Sequence, residues 1–240
     1  MNDFKKPLSR GLLKIKPVKV VLKEFIDLPY LNTILGKLEK LYASKIPLLL
    51  WGERGVGKSS IAKLVHHSVN KSHPFFYLDC LECSHKEEIL KEFYLLQNQN
   101  GTIFLKHLEA FPEELLRNLL KFILYNSQIK IIASSSTSEI QSDTIKTYFY
   151  IFQVLPLRER KDDIPVLLSH FLNKFNRIYN KKISFHPSTI EILKEYPWPD
   201  NILEIQNLVE RLVIFKNKKI YPRDIFGFLG LNFQQKLTKL

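Results

Sequence analysis

The sequence predicts an α/β domain, built on a parallel sheet with helices on both faces, followed by a small all-helical domain. Three observations predict it. Short apolar runs alternate with helical patterns through the first two thirds of the 240 residues, as expected of strands joined by crossover helices. A glycine-rich stretch, GERGVGKSS at 52–60, separates the first of those runs from the helical pattern after it. Beyond Pro165 the apolar spacing is helical throughout.

Residues 1–21 are basic and irregular and read as an arm. The α/β domain is expected over 22–164. Leu31, Ile34, Leu35, Leu38 and Leu41 recur at helical spacing and predict an amphipathic helix. Leu48 to Trp51 is the first strand, and Ile61, Ala62, Leu64 and Val65 mark the helix after the glycine-rich turn. Pro74 opens a second strand, Phe75 to Leu78, which ends at Asp79 and Cys80 ahead of a polar helical segment, Lys86 to Gln97. Asn100 and Gly101 form a turn signal before a third strand, Thr102 to Leu105. Pro112 with Leu115, Leu116, Leu119, Leu120 and Ile123 predicts another helix, Ile129 to Ala133 a fourth strand and Tyr148 to Val154 a fifth, rich in aromatic and β-branched residues. The helical domain is expected over 165–240. Its helices are Val166 to Tyr179, Pro187 to Tyr196 and, after the turn Pro197 to Asp200, a third carrying Ile202, Ile205, Leu208, Val209, Leu212 and Val213.

Gly52, Glu53, Arg54, Gly55, Val56, Gly57, Lys58 and Ser59, with Ser60 next, fit the pattern G-x-x-x-x-G-K-[ST] at every fixed position. The apolar strand before it and the amphipathic helix after it are the context such a phosphate-binding loop requires. Glycines allow a turn in which successive N–H groups face an anion, and the helix opening at Lys58 adds the positive end of its dipole. Lys58 would reach the β and γ phosphates of ATP or ADP, and the Ser59 hydroxyl is the candidate ligand for Mg²⁺.

Thirty-six Lys and Arg against 24 Asp and Glu leave a formal charge of +12. Such an excess attracts nucleic acid, acidic proteins or anionic lipid, or is a lysine-rich surface with no dedicated partner. The excess is dispersed, with enrichments at Lys5, Lys6, Arg10, Lys14, Lys16, Lys19 and Lys23 and at Lys216, Lys218 and Lys219. No apolar run approaches the length that spans a bilayer, and MNDFKKPLSR lacks the apolar centre of a secretion signal, so a cytoplasmic protein without a membrane partner is expected. Cys80 and Cys83, with His85 close by, form one C-x-x-C without a second ligand cluster, so buried or half-buried thiols are expected rather than zinc or a redox pair.

GERGVGKSS, FFYLDC (75–80), NGTIFL (100–105), IKIIASS (129–135), LPLRERKDDIPVLL (155–168) and YPWPDNILEIQNLVERLVI (196–214) follow in an order that resembles the AAA+ domain of sigma-54-dependent transcriptional activators, the bacterial enhancer-binding proteins. The resemblance covers about residues 22–226. It implies an α/β P-loop AAA+ domain with a three-layer parallel sheet and a helical lid. By the same resemblance the protein would be a cytoplasmic ATPase that assembles with AAA+ subunits, its own copies or others, and acts on RNA polymerase bound to a sigma factor. The PLRER and PWP segments speak against an initiator or clamp-loader protein.

The chain departs from that family's pattern where its chemistry lies. Where the family ends a strand in Asp-Glu, for metal and water, this chain has Lys106 and His107. Leu203 stands at the sensor arginine, Asp79 at the switch asparagine, and Ser135 and Ser136 at the first sensor. Arginine fingers are expected before the fifth strand, and there Lys146 is the nearest cation. The family's sigma-contacting GAFTGA loop belongs between Cys83 and Gly101 and has no counterpart, nor is a helix-turn-helix segment seen before Leu240. Phosphoryl transfer depends on a metal, an oriented water and a cation for developing charge. Weak or no ATP hydrolysis is therefore expected, a pseudo-ATPase. His107 and Lys106 are the remaining catalytic candidates. Glu109 either shares the face of His107, if the strand continues, or opens a helix, and Asp162 and Asp163 are read as first-turn acids of the lid helix. Lys106 either stands in for the metal beside the phosphates or swings into solvent. Two functional classes stay open: a nucleotide-driven regulator of transcription, and a silent ATP-binding scaffold docked on an AAA+ subunit, another protein or nucleic acid.

Overall fold

A computed structural model describes residues 15–21, 26–83, 86–96, 99–126 and 128–229. His85, Lys23 and the basic residues of 1–14 lie outside the described residues.

Among the described residues six strands form one sheet: β1 (Lys16–Val18), β2 (Leu48–Trp51), β3 (Phe75–Asp79), β4 (Asn100–Lys106), β5 (Gln128–Ser135) and β6 (Tyr150–Gln153), in the order β1-β3-β4-β5-β2-β6. β2 through β6 pair in parallel, and β1 adds antiparallel to the β3 edge. Parallel strands buried on both faces need continuous apolar sequence, and Leu48, Leu49 and Leu50 of β2 and Ile103, Phe104 and Leu105 of β4 are each at most 1% exposed. β1 falls within the stretch expected to be an arm. It pairs with β3 along all three residues, and beside it the Ile15 N–H donates to the buried Glu92 Oε2 at 2.7 Å.

The helices are α1 (Pro29–Ala43), α2 (Lys58–Asn70), α3 (Lys86–Leu95), α4 (Glu113–Asn126), α5 (Asp143–Tyr148), α6 (Asp163–Ile178), α7 (Pro187–Glu195), α8 (Asn201–Phe215) and α9 (Pro222–Phe226). Two expectations move. Asn100 and Gly101 begin β4 instead of forming a turn. Tyr148 closes α5, where the Ser142 hydroxyl accepts from Ile145 N and caps the helix, so the last strand starts at Tyr150.

The chain divides into two compact units. The first draws on Met1–Lys23, Lys37–Trp51 and Lys58–Gln153 and holds the sheet; its core runs through Leu49, Leu78, Ile103, Leu119 and Ala133. The second draws on Glu24–Gly36, Gly52–Gly57 and Val154–Leu240 and packs α6 to α9 around Leu167, Phe171, Trp198, Ile205, Leu208 and Leu212. Trp198 is fully buried, and its indole N–H donates to Leu193 O at 2.8 Å. The glycine turn thus clusters with the helical part, although its sequence lies between β2 and α2.

Candidate functional site

Within the second unit, residues 52–57 are fastened by groups from the PLRER and PWPDN segments. Arg158 forks onto Glu53, with Nη1 donating to Oε2 at 2.9 Å and Nη2 to Oε1 at 2.5 Å. Asn201 is fully buried, with a left-handed φ of 54°, a conformation asparagine tolerates better than most residues. Its Oδ1 accepts from Leu157 N at 2.7 Å, and its Nδ2 donates to Glu53 Oε2 at 3.1 Å and to Arg54 O at 2.9 Å. Ile202 N donates to Gly55 O at 3.1 Å. Arg160 donates through Nη2 to Val56 O and through Nη1 to Asp163 Oδ2 at 3.3 Å, and its guanidinium lies 4.8 Å from the centre of the Tyr30 ring.

Asp163 does open α6, as expected of a first-turn acid. Beyond that, it accepts from Tyr30 N at 3.0 Å and pairs with Arg160 while fully buried. Burial pushes the Asp163 carboxyl up and, against the pull of that same carboxylate, pushes Arg160 down. Both directions are those that burial imposes on a charged group, set against the attraction between the two. Asp162 precedes the helix, exposed, with Lys194 at 3.2 Å.

Gly55 has φ 78°, and a Cβ there would lie 2.2 Å from Asp200 O. The residue must be glycine both for its left-handed backbone and because the chain at Asp200 passes against it.

Within the first unit, α2 begins at Lys58 as the motif predicts, and Lys58 Nζ donates to Ser136 Oγ at 2.9 Å. Ser136 N donates to Glu109 Oε1 at 3.4 Å. β4 does not continue past Lys106: His107 takes φ 56°, and Leu108–Ala110 is a single 3-10 turn, leaving Glu109 exposed. Glu109 therefore does not share a strand face with His107.

The register of β3 on β4 sets Asp79 opposite Lys106, and cross-strand neighbours on one face lie close enough to pair. Lys106 Nζ lies 2.9 Å from Asp79 Oδ2, and His107 Nδ1 lies 2.8 Å from Asp79 Oδ1. Burial alone would raise the Asp79 carboxyl, but the bonds from His107, Lys106 and Leu81 N hold it down at about 2. For Lys106 burial also opposes the charge, yet the Asp79 bond and the neighbouring charges leave its ammonium raised. Lys106 is thus a paired cation, a third arrangement beside the two the sequence suggested.

Mg²⁺ fits this donor set poorly, because a hard cation wants oxygen ligands and the Asp79 carboxylate is already taken by an ammonium and an imidazole. Among the described residues no group of three or more His, Cys, Asp or Glu is arranged to hold a metal. Cys80 is buried and Cys83 half-buried, as the sequence suggested, and the Cys83 thiol donates to Asp79 O at 3.7 Å. The hydrogen bond with Cys83 first, and burial with it, raise the Cys80 thiol.

Of the nine loop residues expected to bind nucleotide, 52–57 lie in the second unit and Lys58, Ser59 and Ser60 in the first. Arg158, Arg160 and Asn201 were not expected as site residues; the signal was the PLRER and PWPDN segments themselves, which the sequence offers without a role.

No helix among the described residues is long and apolar enough to cross a membrane. Comparison with known proteins places these features. MopR, the phenol regulator of Acinetobacter guillouiae, is 29% identical over 217 residues, covering 74% of this chain and 39% of that protein. A Nif-specific regulatory protein of Rhizobium leguminosarum bv. trifolii is 28% identical over 236 residues, covering 82% of this chain and 67% of the relative. Crystal structures of Brucella abortus NtrX superpose with TM-scores of 0.70 in complex with ATP and 0.67 in complex with ADP, at 18% and 16% identity. They cover 90% and 86% of this chain and 59% and 56% of NtrX, so the chain spans little more than half of that protein and less than half of MopR. The AAA+ ATPase lid domain matches residues 158–229, and the sigma-54 interaction domain matches residues 27–149, just over half of the chain. With a mostly parallel α/β sheet that carries a P-loop sequence between β2 and α2, and a helical lid after it, the chain belongs to the sigma-54 interaction domain family of AAA+ proteins.

Proposed function

We propose that the chain is an ATP- or ADP-binding regulator of the transcription machinery, cytoplasmic, with weak or no ATP hydrolysis. One observation carries the reading: the P-loop is intact and Lys58 heads its helix, while the end of β4 presents Lys106 and His107 closed onto Asp79. Binding needs the loop and its lysine, whereas turnover needs a group that orients water and a counter-charge for the transferred phosphoryl. His107, the one base at that strand end, has its Nδ1 committed to Asp79. The NtrX neighbours, crystallised with ATP and with ADP, support a nucleotide as ligand, and the family supports RNA polymerase with its sigma factor, and AAA+ subunits, as partners.

Nucleotide binding and turnover measured on one purified sample test this reading. ADP and ATP are expected to bind, with hydrolysis at or near background. Lys58→Ala removes a charge-assisted contact and is expected to weaken binding by about 2 kcal/mol or more. Equal affinity of parent and variant would refute the site, and robust turnover that depends on His107 would refute the silent reading.

A further inference from the structure

The fastening of the glycine turn has a directional consequence. The carbonyls of three consecutive residues are taken by donors of the helical unit: Arg54 O by Asn201 Nδ2, Gly55 O by Ile202 N, and Val56 O by Arg160 Nη2. No described peptide bond is cis, and in a planar trans peptide the carbonyl of one residue and the N–H of the next point in opposite directions. Fixing those carbonyls therefore turns the N–H groups of Gly55, Val56 and Gly57 away from the donors, side by side. Gly55 at φ 78° and Gly57 at φ 99° supply the left-handed steps that let successive N–H groups converge, the arrangement that makes an anion-binding concavity.

Arg160 is kept in place against its own solvation: the residue is 7% exposed and its Nε, buried, has no hydrogen-bond partner among the described residues. A buried unsatisfied donor is a cost that folding alone gives no reason to accept.

We propose that Asn201 and Arg160 are positioning residues for phosphate binding, which act by holding the loop carbonyls so that the N–H groups of Gly55, Val56 and Gly57 are aimed in advance at an anion. The proposal rests on the nucleotide reading of the loop. It gives the PLRER and PWPDN segments a shared role. Together they set the loop's conformation before any ligand arrives, so that binding does not have to order the loop.

ADP titration calorimetry on the parent chain, Asn201→Ala, Arg160→Lys and the surface control Lys161→Ala tests it, together with the amide resonances of Gly55 and Gly57 on adding ADP. Asn201→Ala is expected to weaken ADP by about tenfold and to shift both glycine amides in the ligand-free protein. Arg160→Lys, which keeps the charge but loses the fork, is expected to weaken it less, and Lys161→Ala not at all. Arg160→Lys carries the test if Asn201→Ala does not fold. Cooperatively melting variants with parental affinity and unshifted glycine amides overturn the positioning role alone. A parent chain that binds no ADP overturns the nucleotide reading and this inference with it.

Discussion

Asp79 binds two partners that lie 27 and 28 residues away in sequence, Lys106 and His107, and its acidity follows from both. Its carboxyl is held at about 2 against an ordinary 3.8, so the folded protein prefers the ionised form more than the unfolded chain does. The stabilisation is fully present above the unfolded value and is lost as pH falls through the folded one. It amounts to about 2 kcal/mol. Asp79→Asn should therefore lower stability at neutral pH by about that much, and the gap to the parent, read from denaturant midpoints, should narrow between pH 4 and 2. A gap that does not change with pH would show that the pair contributes no electrostatic stabilisation. His66 has the opposite character. Asn70 Nδ2 donates to the Tyr42 hydroxyl at 3.1 Å, the Tyr42 and Thr102 hydroxyls share a hydrogen bond, and Thr102 Oγ1 lies 2.7 Å from His66 Nδ1. Burial first, then the nearby His67, lowers its pKa from 6.5 to about 4. In that interval the unfolded chain binds a proton that the folded chain does not, so stability falls as pH drops from 6.5 to 4, by about 3 kcal/mol at most. His66→Gln should flatten this decline in a pH series of thermal melts, and an unchanged decline would assign it to other groups.

Among the elements, α8 ends on an unusual cap. Lys181 Nζ donates to Val213 O, Ile214 O and Lys216 O at 2.8, 2.7 and 3.0 Å, carbonyls that a helix C-terminus otherwise leaves to water. The ammonium also faces the negative end of the helix dipole. Lys181→Met keeps the stem and deletes the charge, and it should cost about 1–3 kcal/mol, seen as a lower melting temperature. A melting temperature within error of the parent's would leave those carbonyls equally well served by water. The distant origin of this cap, 32 to 35 residues from its acceptors, also explains what the sequence made legible. β2, β3, β4 and β5 could be read because a parallel strand buried on both faces is a continuous apolar run, and the motif fixed the start of α2 to the residue. β1 could not, because Lys16, Pro17 and Val18 carry no such run, and their partners Tyr77, Phe76 and Phe75 lie about 60 residues away. α5 was hidden because its six residues merge with the aromatic stretch of β6. The loop's chemistry was legible and its fastening was not, since Arg160 and Asn201 reach residues 104 and 148 positions away.

At the scale of the whole molecule, the sigma-54 interaction domain precedes the lid as the two family matches have it, and the proposed departure from the family's way of working turns on the connection from β3 to β4. In the family the sigma-contacting GAFTGA loop belongs to this connection. Here Cys80–Glu82 forms a 3-10 turn at its start, α3 takes Lys86–Leu95, and β4 already begins at Asn100. The segment after α3 is thus four residues, 96–99, long enough to turn the chain and too short to carry an extended contact loop. The remaining surface of that connection is α3 itself, which α4 covers in part through Tyr94 against Phe122, ring centres 5.3 Å apart. On the proposed reading, a nucleotide-binding chain without such a loop should not remodel polymerase in the family's manner, whatever its turnover. In a purified system with sigma-54 polymerase, a sigma-54 promoter and ATP, it is expected to give no open complex under conditions where an activator bearing the motif does. Opening that depends on Lys58 would overturn this expectation and assign the polymerase contact to another surface of the fold.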